Sequence, residues 1–193
     1  MKKFELTNEF ITNMFGTKLF RIRALVEFGD VEAGELGGYV EKESNLGHDD
    51  NAWVYDNAWV YGNARVYGDA QVSGDALVYG NARVYGNAWV YGNAWVYGNA
   101  WVYGNALVCS DEDYAYAHGF GSVNRTTTFF RLKDGGVGVR CGCFYGTLAQ
   151  FRDKIRETHG ETKKAQEYLM LADLMELRFE EDENEVGNRK YVE

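Results

Sequence analysis

The sequence predicts a mainly β solenoid, closed at its ends by small flanking segments. From residue 51 to residue 110 the chain reads as ten consecutive six-residue units without an insertion. Every unit has Ala at its second position and Val at its fourth, and every unit begins with Asn or Asp. Nine of the ten units end in Gly or Asp, in a chain of 193 residues with 23 Gly and no Pro. A repeat of this kind indicates one supersecondary unit that is stacked many times.

Each unit is expected to supply one short strand and one corner. Side chains alternate in direction along an extended segment, so Trp53 and Tyr55 point outward if Val54 points inward. Gly-Asn and Gly-Asp pairs suit the corners because these residues tolerate positive φ. Three strands and three corners close a triangular coil, and equivalent residues of successive coils then stack about 4.8 Å apart.

The spacing within the units is shared with a known family. Val54 and Ala58, then Val60 and Ala64, place a small residue four positions after an aliphatic one. This pattern resembles that of hexapeptide-repeat proteins, and the resemblance covers 60 of the 193 residues. It implies a left-handed parallel β-helix. The handedness comes from the family alone, since crossovers between parallel strands are generally right-handed.

The flanks are expected to cover the open ends of the solenoid. The predicted units are an N-terminal β cap (1–50), the repeat (51–110), a C-terminal hairpin and two-helix module (111–179) and an acidic tail (180–193). In the N-terminal cap, residues 17–26 alternate apolar and basic side chains as a half-buried strand does. Gly37-Gly38 indicates a turn, and Gly38–Val40 begins an irregular first coil.

The C-terminal module contains strand and helix signals in succession. Two β-rich runs, 122–132 and 137–144, surround the turn signal KDGG and predict a hairpin. A capping box that begins at Thr147 predicts a helix up to Gly160. A second helix is predicted from about Lys163 to Phe179, with its apolar residues on one stripe.

Both flanks resemble segments that accompany hexapeptide coils in uncharacterised proteins from phages, prophages and enteric bacteria. RIRALVEFGDVEAGELGGYVE carries this resemblance before the repeat, and TTTFFRLKDGGVGVRCGCFYGTL carries it afterwards. Some of those proteins have a nominal acetyltransferase label, which implies the fold rather than an activity. A phage-encoded chain of this kind would work in the cytoplasm of the host cell.

Composition disfavours several classes of function. No window of 18 apolar residues is long enough to span a membrane, and the N-terminus lacks the apolar core of a signal peptide. Cys109, Cys141 and Cys143 have neither a disulfide framework nor the spacing of a zinc site, which suits a reducing compartment. A net charge of −9 disfavours binding to nucleic acid or to anionic membranes. We therefore expect a cytoplasmic protein without metal or cofactor.

All five tryptophans are predicted to lie on the outside of the solenoid. Stacked aromatic side chains stabilise a ladder among themselves, but contiguous exposed apolar surface also marks interfaces. We expect at least one aromatic face to be covered by another chain or by the flanking segments, and we expect a homotrimer. The candidate interface residues are Trp53, Trp59, Trp89, Trp95 and Trp101.

Acyl transfer is one function that the resemblance implies. Hexapeptide acyltransferases typically work as trimers, in which a histidine of the coils is the general base and a long loop helps to hold the acyl donor. Residues 51–110 contain neither a histidine nor an inserted loop. His118, just after the last coil, is the candidate base if the chain is an acyltransferase. We favour a capping or hydrogen-bonding role for it.

A basic cluster in the C-terminal module is the candidate ligand site. Residues 122–156 hold seven Arg or Lys and two Asp, a net charge of +5 in an acidic chain. Guanidinium and hydroxyl groups together bind phosphates and carboxylates. The favoured alternative is a hairpin whose outward Arg and Thr side chains pair with the acidic tail or with solvent. The candidate ligand-binding residues are Arg125, Thr126, Thr127, Thr128, Arg131 and Arg140.

Three functions remain open at this stage. The first is a non-catalytic binding protein of phage type that holds an anionic small molecule, such as a nucleotide signal of host defence, or a partner. The second is a hexapeptide acyltransferase with an acyl-CoA donor, and the third is a structural interaction protein whose acidic surface contacts a host protein. Small molecules that co-purify with the protein would distinguish them.

Overall fold

The structure, a computed structural model, describes residues 2–121 and 124–180. The expected acidic tail therefore lies outside the described residues except for Glu180, as do Ser122 and Val123 of the expected hairpin. Two α-helices, α1 (Leu148–His159) and α2 (Lys163–Phe179), and a short 3₁₀ helix (Glu43–Asn45) accompany the strands. The strands are β1 (Phe4–Thr12), β2 (Lys18–Ala24), β3 (Leu36–Val40), β4 (Trp53–Val54), β5 (Trp59–Val60), β6 (Arg65–Val66), β7 (Gln71–Val72), β8 (Leu77–Val78), β9 (Arg83–Tyr85), β10 (Trp89–Val90), β11 (Trp95–Val96), β12 (Trp101–Tyr103), β13 (Leu107–Val108), β14 (Tyr114–Phe120), β15 (Arg125–Arg131), β16 (Val137–Cys141) and β17 (Phe144–Thr147).

The repeat forms the three sides of a triangular solenoid, as predicted. The first face contains β4, β7, β10 and β13, the second contains β3, β5, β8 and β11, and the third contains β6, β9 and β12. Neighbouring strands on each face are parallel, and equivalent residues pair in register, as Trp59 does with Leu77 and Leu77 with Trp95. The stacked parallel coils of the predicted fold class are confirmed.

The interior of the solenoid consists of the two invariant positions of the repeat. The Val and Ala side chains of all ten units, from Ala52 to Val108, are 0% exposed. Each buried Val contributes about 1.5–3 kcal/mol relative to an exposed one. The assignment of Val inward and of its neighbours away from the coil interior is therefore confirmed, and the narrow core leaves no room for larger side chains.

Gly and Asn make the corners in the way that the sequence predicts. Gly68 has φ of +75°, and a Cβ atom there would lie 2.9 Å from the backbone nitrogen of Gly86 in the next coil. The Asn side chains form a ladder alongside, because Asn63 Nδ2 donates to Asn81 Oδ1 at 3.2 Å and Asn81 Nδ2 donates to Asn99 Oδ1 at 3.2 Å. These corners are thus held both by backbone conformation and by a side-chain hydrogen bond to the next coil.

The N-terminal cap extends the second face of the solenoid. β1 and β2 form an antiparallel hairpin, β2 pairs with β3, and β3 joins β5 in parallel, which makes one sheet of six strands. The expected strand over residues 17–26 is confirmed as β2. The turn expected at Gly37-Gly38 is wrong, since both glycines lie inside β3. A Cβ atom on Gly37 would lie 2.5 Å from the Val54 carbonyl oxygen, so close backbone approach is what requires glycine there.

The C-terminal module is a four-stranded antiparallel sheet, β14-β15-β16-β17, with both helices packed on one side. The expected hairpin is confirmed as β15 and β16, and the capping box at Thr147 precedes α1. Adjacent residues of β15 belong to two different hydrophobic cores. Phe130 packs into the solenoid core, and Phe129 packs into the core formed with the helices. This sheet therefore separates the end of the solenoid from the two helices.

Stacked tyrosines along the corners predict instability at alkaline pH. The rings of Tyr61, Tyr79 and Tyr97 stack at 5.1 and 5.3 Å, and burial raises the pKa of Tyr61 and of Tyr79 above the ordinary value of 10.0 for a tyrosine. Burial raises the pKa of Tyr114 as well. A pKa that is higher in the folded chain gives stability that is intact below about pH 10 and is lost as the pH rises through the folded value.

We expect the free energy of unfolding to fall steeply above about pH 10, together with a cooperative rise in tyrosinate absorbance. Titration of the folded protein, with parallel urea denaturation at each pH, measures both quantities. Tyrosinate that forms gradually near pH 10, as in a denatured chain, would contradict this expectation.

Candidate functional site

The sheet divides the six candidate anion-binding residues between its two sides. Thr128 and Arg140 pair in register on the side that faces the solenoid. Arg131 points to the other side, over the ring of Phe179 on α2 at 5.5 Å. Arg125 begins β15 and Arg131 ends it, which separates them by about 20 Å along an extended strand. These residues therefore do not form one anion cradle.

Two of the expected hydroxyl ligands are part of the interior. Thr127 and Thr128 are both 0% exposed. The Thr127 hydroxyl donates to Cys141 Sγ at 3.1 Å, and Thr128 Oγ1 accepts from the backbone N–H of Trp101 at 2.9 Å. Buried hydroxyls must be hydrogen-bonded, and here they join the strands to each other and to the last coil. The expectation that they offer free groups to a ligand is wrong.

The two central arginines contact their own chain. Arg131 Nε lies 3.7 Å from Asp113 Oδ1, and Asp113 is buried. Arg140 Nη1 donates to the Phe144 carbonyl at 3.2 Å. Its guanidinium also lies over the Trp101 ring at 5.4 Å. Both side chains thus contact the module and the coils. The alternative interpretation paired them with the acidic tail or with solvent, and that tail lies outside the described residues except for Glu180.

His118 lies at the exposed end of β14. Its Nδ1 is 2.9 Å from Thr126 Oγ1 on the neighbouring strand. Thr126 is therefore the partner of His118 across the sheet, which is the hydrogen-bonding role that we favoured.

The tryptophans differ in how much of each side chain is exposed. Trp53 is 0% exposed because the N-terminal cap covers it, with the rings of Phe4 and Phe28 at 6.2 and 5.3 Å. Trp53 is therefore not available to a second chain, which corrects its assignment to an interface. The indole of Trp101 is partly covered by Arg140. Trp89 is 44% exposed on the first face, beneath Lys133 Nζ at 4.0 Å.

The second face carries a groove that the sequence analysis missed. Its volume is about 710 Å³, and it lies between the solenoid and the end of the N-terminal hairpin. Trp95, which is 48% exposed, lines it together with Trp59 and Leu77 from the same ladder. The complete lining is Ile11, Asn13, Met14, Phe15, Tyr39, Asn57, Trp59, Tyr61, Asp75, Leu77, Tyr79 and Trp95. Nine of these twelve side chains are apolar or aromatic, so we call this feature the aromatic groove.

The hairpin turn forms a fixed wall of the aromatic groove. Asn13 Oδ1 accepts from the backbone N–H groups of Phe15 and Thr17 at 3.0 and 2.9 Å, and Gly16 has φ of +80°. These bonds hold the turn in one shape. The turn presents Met14 and Phe15, which are 89% and 78% exposed, at the edge of the groove. They continue the apolar lining of the groove, and a contiguous exposed apolar surface marks a binding site.

The aromatic groove is nearly uncharged. Asp75 is its one charged lining residue, and Asp75 Oδ1 accepts from Asn57 Nδ2 at 3.4 Å. Burial raises the pKa of Tyr61 and of Tyr79, so both phenols remain protonated donors at neutral pH. The groove thus offers an apolar bed, hydroxyl donors and one carboxylate, which is a poor environment for an anion.

Within residues 2–121 and 124–180, no group of three His, Cys, Asp or Glu side chains is placed to hold a metal ion. In the same part of the chain, neither helix is long and apolar enough to cross a membrane.

A protein-family model for a β-solenoid repeat matches the coils of this chain. The model described as YdcK beta solenoid repeat matches five overlapping stretches, at residues 58–74, 70–85, 76–92, 82–98 and 88–104. The chain is a β-solenoid repeat protein. No curated protein matches it. The family matches together cover β5 to β12, on all three faces of the solenoid, and stop before the C-terminal module.

The aromatic groove of this β-solenoid could be anticipated only in part. The Trp59, Leu77 and Trp95 ladder follows directly from the 18-residue spacing of equivalent residues. The wall does not, because it depends on where the β1–β2 turn lies in space. One signal was present in the sequence: an Asn-Met-Phe-Gly turn places two large apolar residues where polar ones are usual.

Proposed function

We propose that this β-solenoid is a non-catalytic binding protein and that the aromatic groove holds a flat, uncharged, apolar small molecule. The observation that carries the proposal is the groove itself, in which exposed aromatic side chains of the solenoid face the Met14 and Phe15 turn. Sites for small molecules typically measure about 300–1,000 Å³ and have apolar linings with few polar groups. The volume of about 710 Å³ lies within that range.

The lining supports the choice of an uncharged ligand over an anionic one. An anion would meet the Asp75 carboxylate and an apolar surface, and its desolvation would be uncompensated. The phenols of Tyr61 and Tyr79 instead suit a carbonyl or ether oxygen on an otherwise apolar molecule. The arginines of the C-terminal sheet, which lie on opposite sides of that sheet, give little support to the anionic ligand that the sequence suggested.

We propose further that the protein works in the cytoplasm as a homotrimer. Cys141 and Cys143 are not joined in a disulfide, which suits a reducing compartment. The resemblance of the flanks to phage-associated proteins supports the cytoplasm of a host cell. The resemblance of the repeat to hexapeptide-repeat proteins, which include trimeric acyltransferases, supports the homotrimer.

Binding of a neutral fluorescent probe tests the proposed site. We expect N-phenylnaphthylamine to bind saturably and its sulfonated analogue, anilinonaphthalene sulfonate, to bind more weakly. Trp95→Ser should weaken binding of the neutral probe about 10-fold or more, because one aromatic wall is lost. Trp89→Ser is the matched control, since Trp89 is similarly exposed but lies on the first face outside the groove.

Other outcomes would contradict the groove or favour one of the alternative functions. Equal loss of binding in Trp89→Ser and Trp95→Ser would contradict the groove. Preference for the sulfonated probe, with dependence on Arg131 or Arg140, would favour the anionic ligand. Transfer of an acyl group from acyl-CoA that His118→Ala abolishes would favour the acyltransferase.

A further inference from the structure

The second helix has two apolar stripes, and the module uses only one of them. The buried stripe packs against α1 and the sheet and consists of Ala165, Tyr168, Ala172, Met175 and Phe179. On the opposite side, Met170, Leu174 and Leu177 are 71%, 54% and 67% exposed. We call these three residues the outer seam. Nothing in the described residues covers it.

The spacing of the outer seam is that of a helix-pairing surface. Leu174 follows Met170 by four residues and Leu177 follows Leu174 by three, which is the alternation of the apolar positions in a coiled coil. With a rise of about 1.5 Å per residue, the seam is about 10 Å long. Single exposed apolar residues are common, but three in this register form a continuous stripe.

Charges on the two flanks of the outer seam select the direction of pairing. Successive helical residues are rotated by about 100° around the axis, and this rotation places the charged residues on either side of the seam. Lys164 and Arg178 lie on one flank, and Asp173 and Glu180 lie on the other. In a parallel pair the basic flank of one helix meets the acidic flank of the next, whereas an antiparallel pair brings like flanks together. The parallel arrangement places Asp173 beside the second copy's Arg178.

The other contacts of these charged groups leave them accessible. Asp173 accepts from Arg152 Nη2 at 2.8 Å but remains 70% exposed. Arg178 Nη2 donates to the Asp111 carbonyl at 3.2 Å, an exposed contact. Lys163 and Glu167 occupy the positions that precede Met170 in the same four-and-three spacing. Because both residues are charged, the apolar seam begins at Met170.

We propose that the outer seam of α2 binds the outer seam of α2 in another copy of this chain, with the helices parallel. Parallel pairing of this kind generates a closed cyclic assembly, which is compatible with the homotrimer. The proposal does not depend on the aromatic groove, which lies at the N-terminal hairpin. Because the seam is short, the association is expected to depend on protein concentration.

Sedimentation velocity of the full chain measures the association. We expect a multiple of the 21.9 kDa chain mass at high micromolar concentration. Leu174→Lys should weaken self-association at least 10-fold while near-UV circular dichroism stays unchanged. Leu36→Lys is the control, since it introduces the same charge at a similarly exposed leucine, in β3 and outside both the seam and the aromatic groove.

Cross-linking tests the direction of pairing. In a Cys143→Ser background, which removes the exposed native thiol, Leu177→Cys chains should form disulfides with one another, as should Met170→Cys chains. Disulfides that form only in mixtures of the two variants would show antiparallel pairing and overturn the proposal. A monomer at every concentration, or association that Leu36→Lys abolishes and Leu174→Lys does not, would overturn it as well.

Discussion

Val78→Asp is expected to unfold the solenoid. Val78 is 0% exposed, and its backbone pairs with Val60 below and Val96 above in the middle of the second face. A carboxylate there would be surrounded by Val and Ala side chains, with no partner to compensate its charge. An unpaired buried charge costs at least about 3 kcal/mol, a large share of the roughly 5–15 kcal/mol that stabilise a domain.

The loss should depend on pH. Burial would raise the pKa of the introduced carboxyl above its value in the unfolded chain, so protonation at low pH should restore part of the stability. Gln71→Glu is the control, because Gln71 lies on the outside of the first face and is not fully buried. Thermal melts of the two variants from pH 4 to pH 8 measure the difference, and equal melting temperatures would contradict the inward assignment of Val78.

Trp53→Ala is expected to destabilise the protein far more than Trp89→Ala, although both residues occupy equivalent positions on the first face. Trp53 fills the space beneath Phe4 and Phe28, so truncation leaves a cavity between the N-terminal cap and the first coil. Changes from a buried Trp to Ala cost about 3–5 kcal/mol. Trp89 is 44% exposed and loses mainly its contact with Lys133, which is worth about 1 kcal/mol or less.

Denaturant unfolding followed by circular dichroism compares the two variants through their midpoints and slopes. A lower midpoint with an unchanged slope is expected for Trp53→Ala. If Trp53→Ala loses no more than the small amount expected for Trp89→Ala, the cap does not depend on Trp53 for its attachment to the solenoid.

The solenoid was predictable because each unit repeats one local rule. Val and Ala at fixed positions specify the inner side of every strand, and the same pattern of residues recurs in all ten units. The helices were predictable for a related reason, since Thr147 and the apolar stripe up to Phe179 are local signals. Where the local sequence allows only one structure for a residue, the sequence alone is enough to predict that structure.

Gly37 and Trp53 show where local reasoning fails. Gly37 has the local signature of a turn, but the neighbouring coil approaches so closely that only glycine fits within the strand. Trp53 has the signature of an outward residue, but a segment from the start of the chain covers it. The aromatic groove depends in the same way on where a distant hairpin lies, which no periodicity encodes.

The register of the coils restricts how proteins of this shape can change in length. Equivalent residues lie 18 positions apart, so removal or duplication of 18 residues preserves the angle between the two caps. An insertion of six residues would instead rotate the C-terminal module by a third of a turn and place Phe130 over the wrong side of the last coil. Whole-coil duplication is thus a permitted evolutionary step, and each added coil lengthens the ladder of the second face by about 4.8 Å.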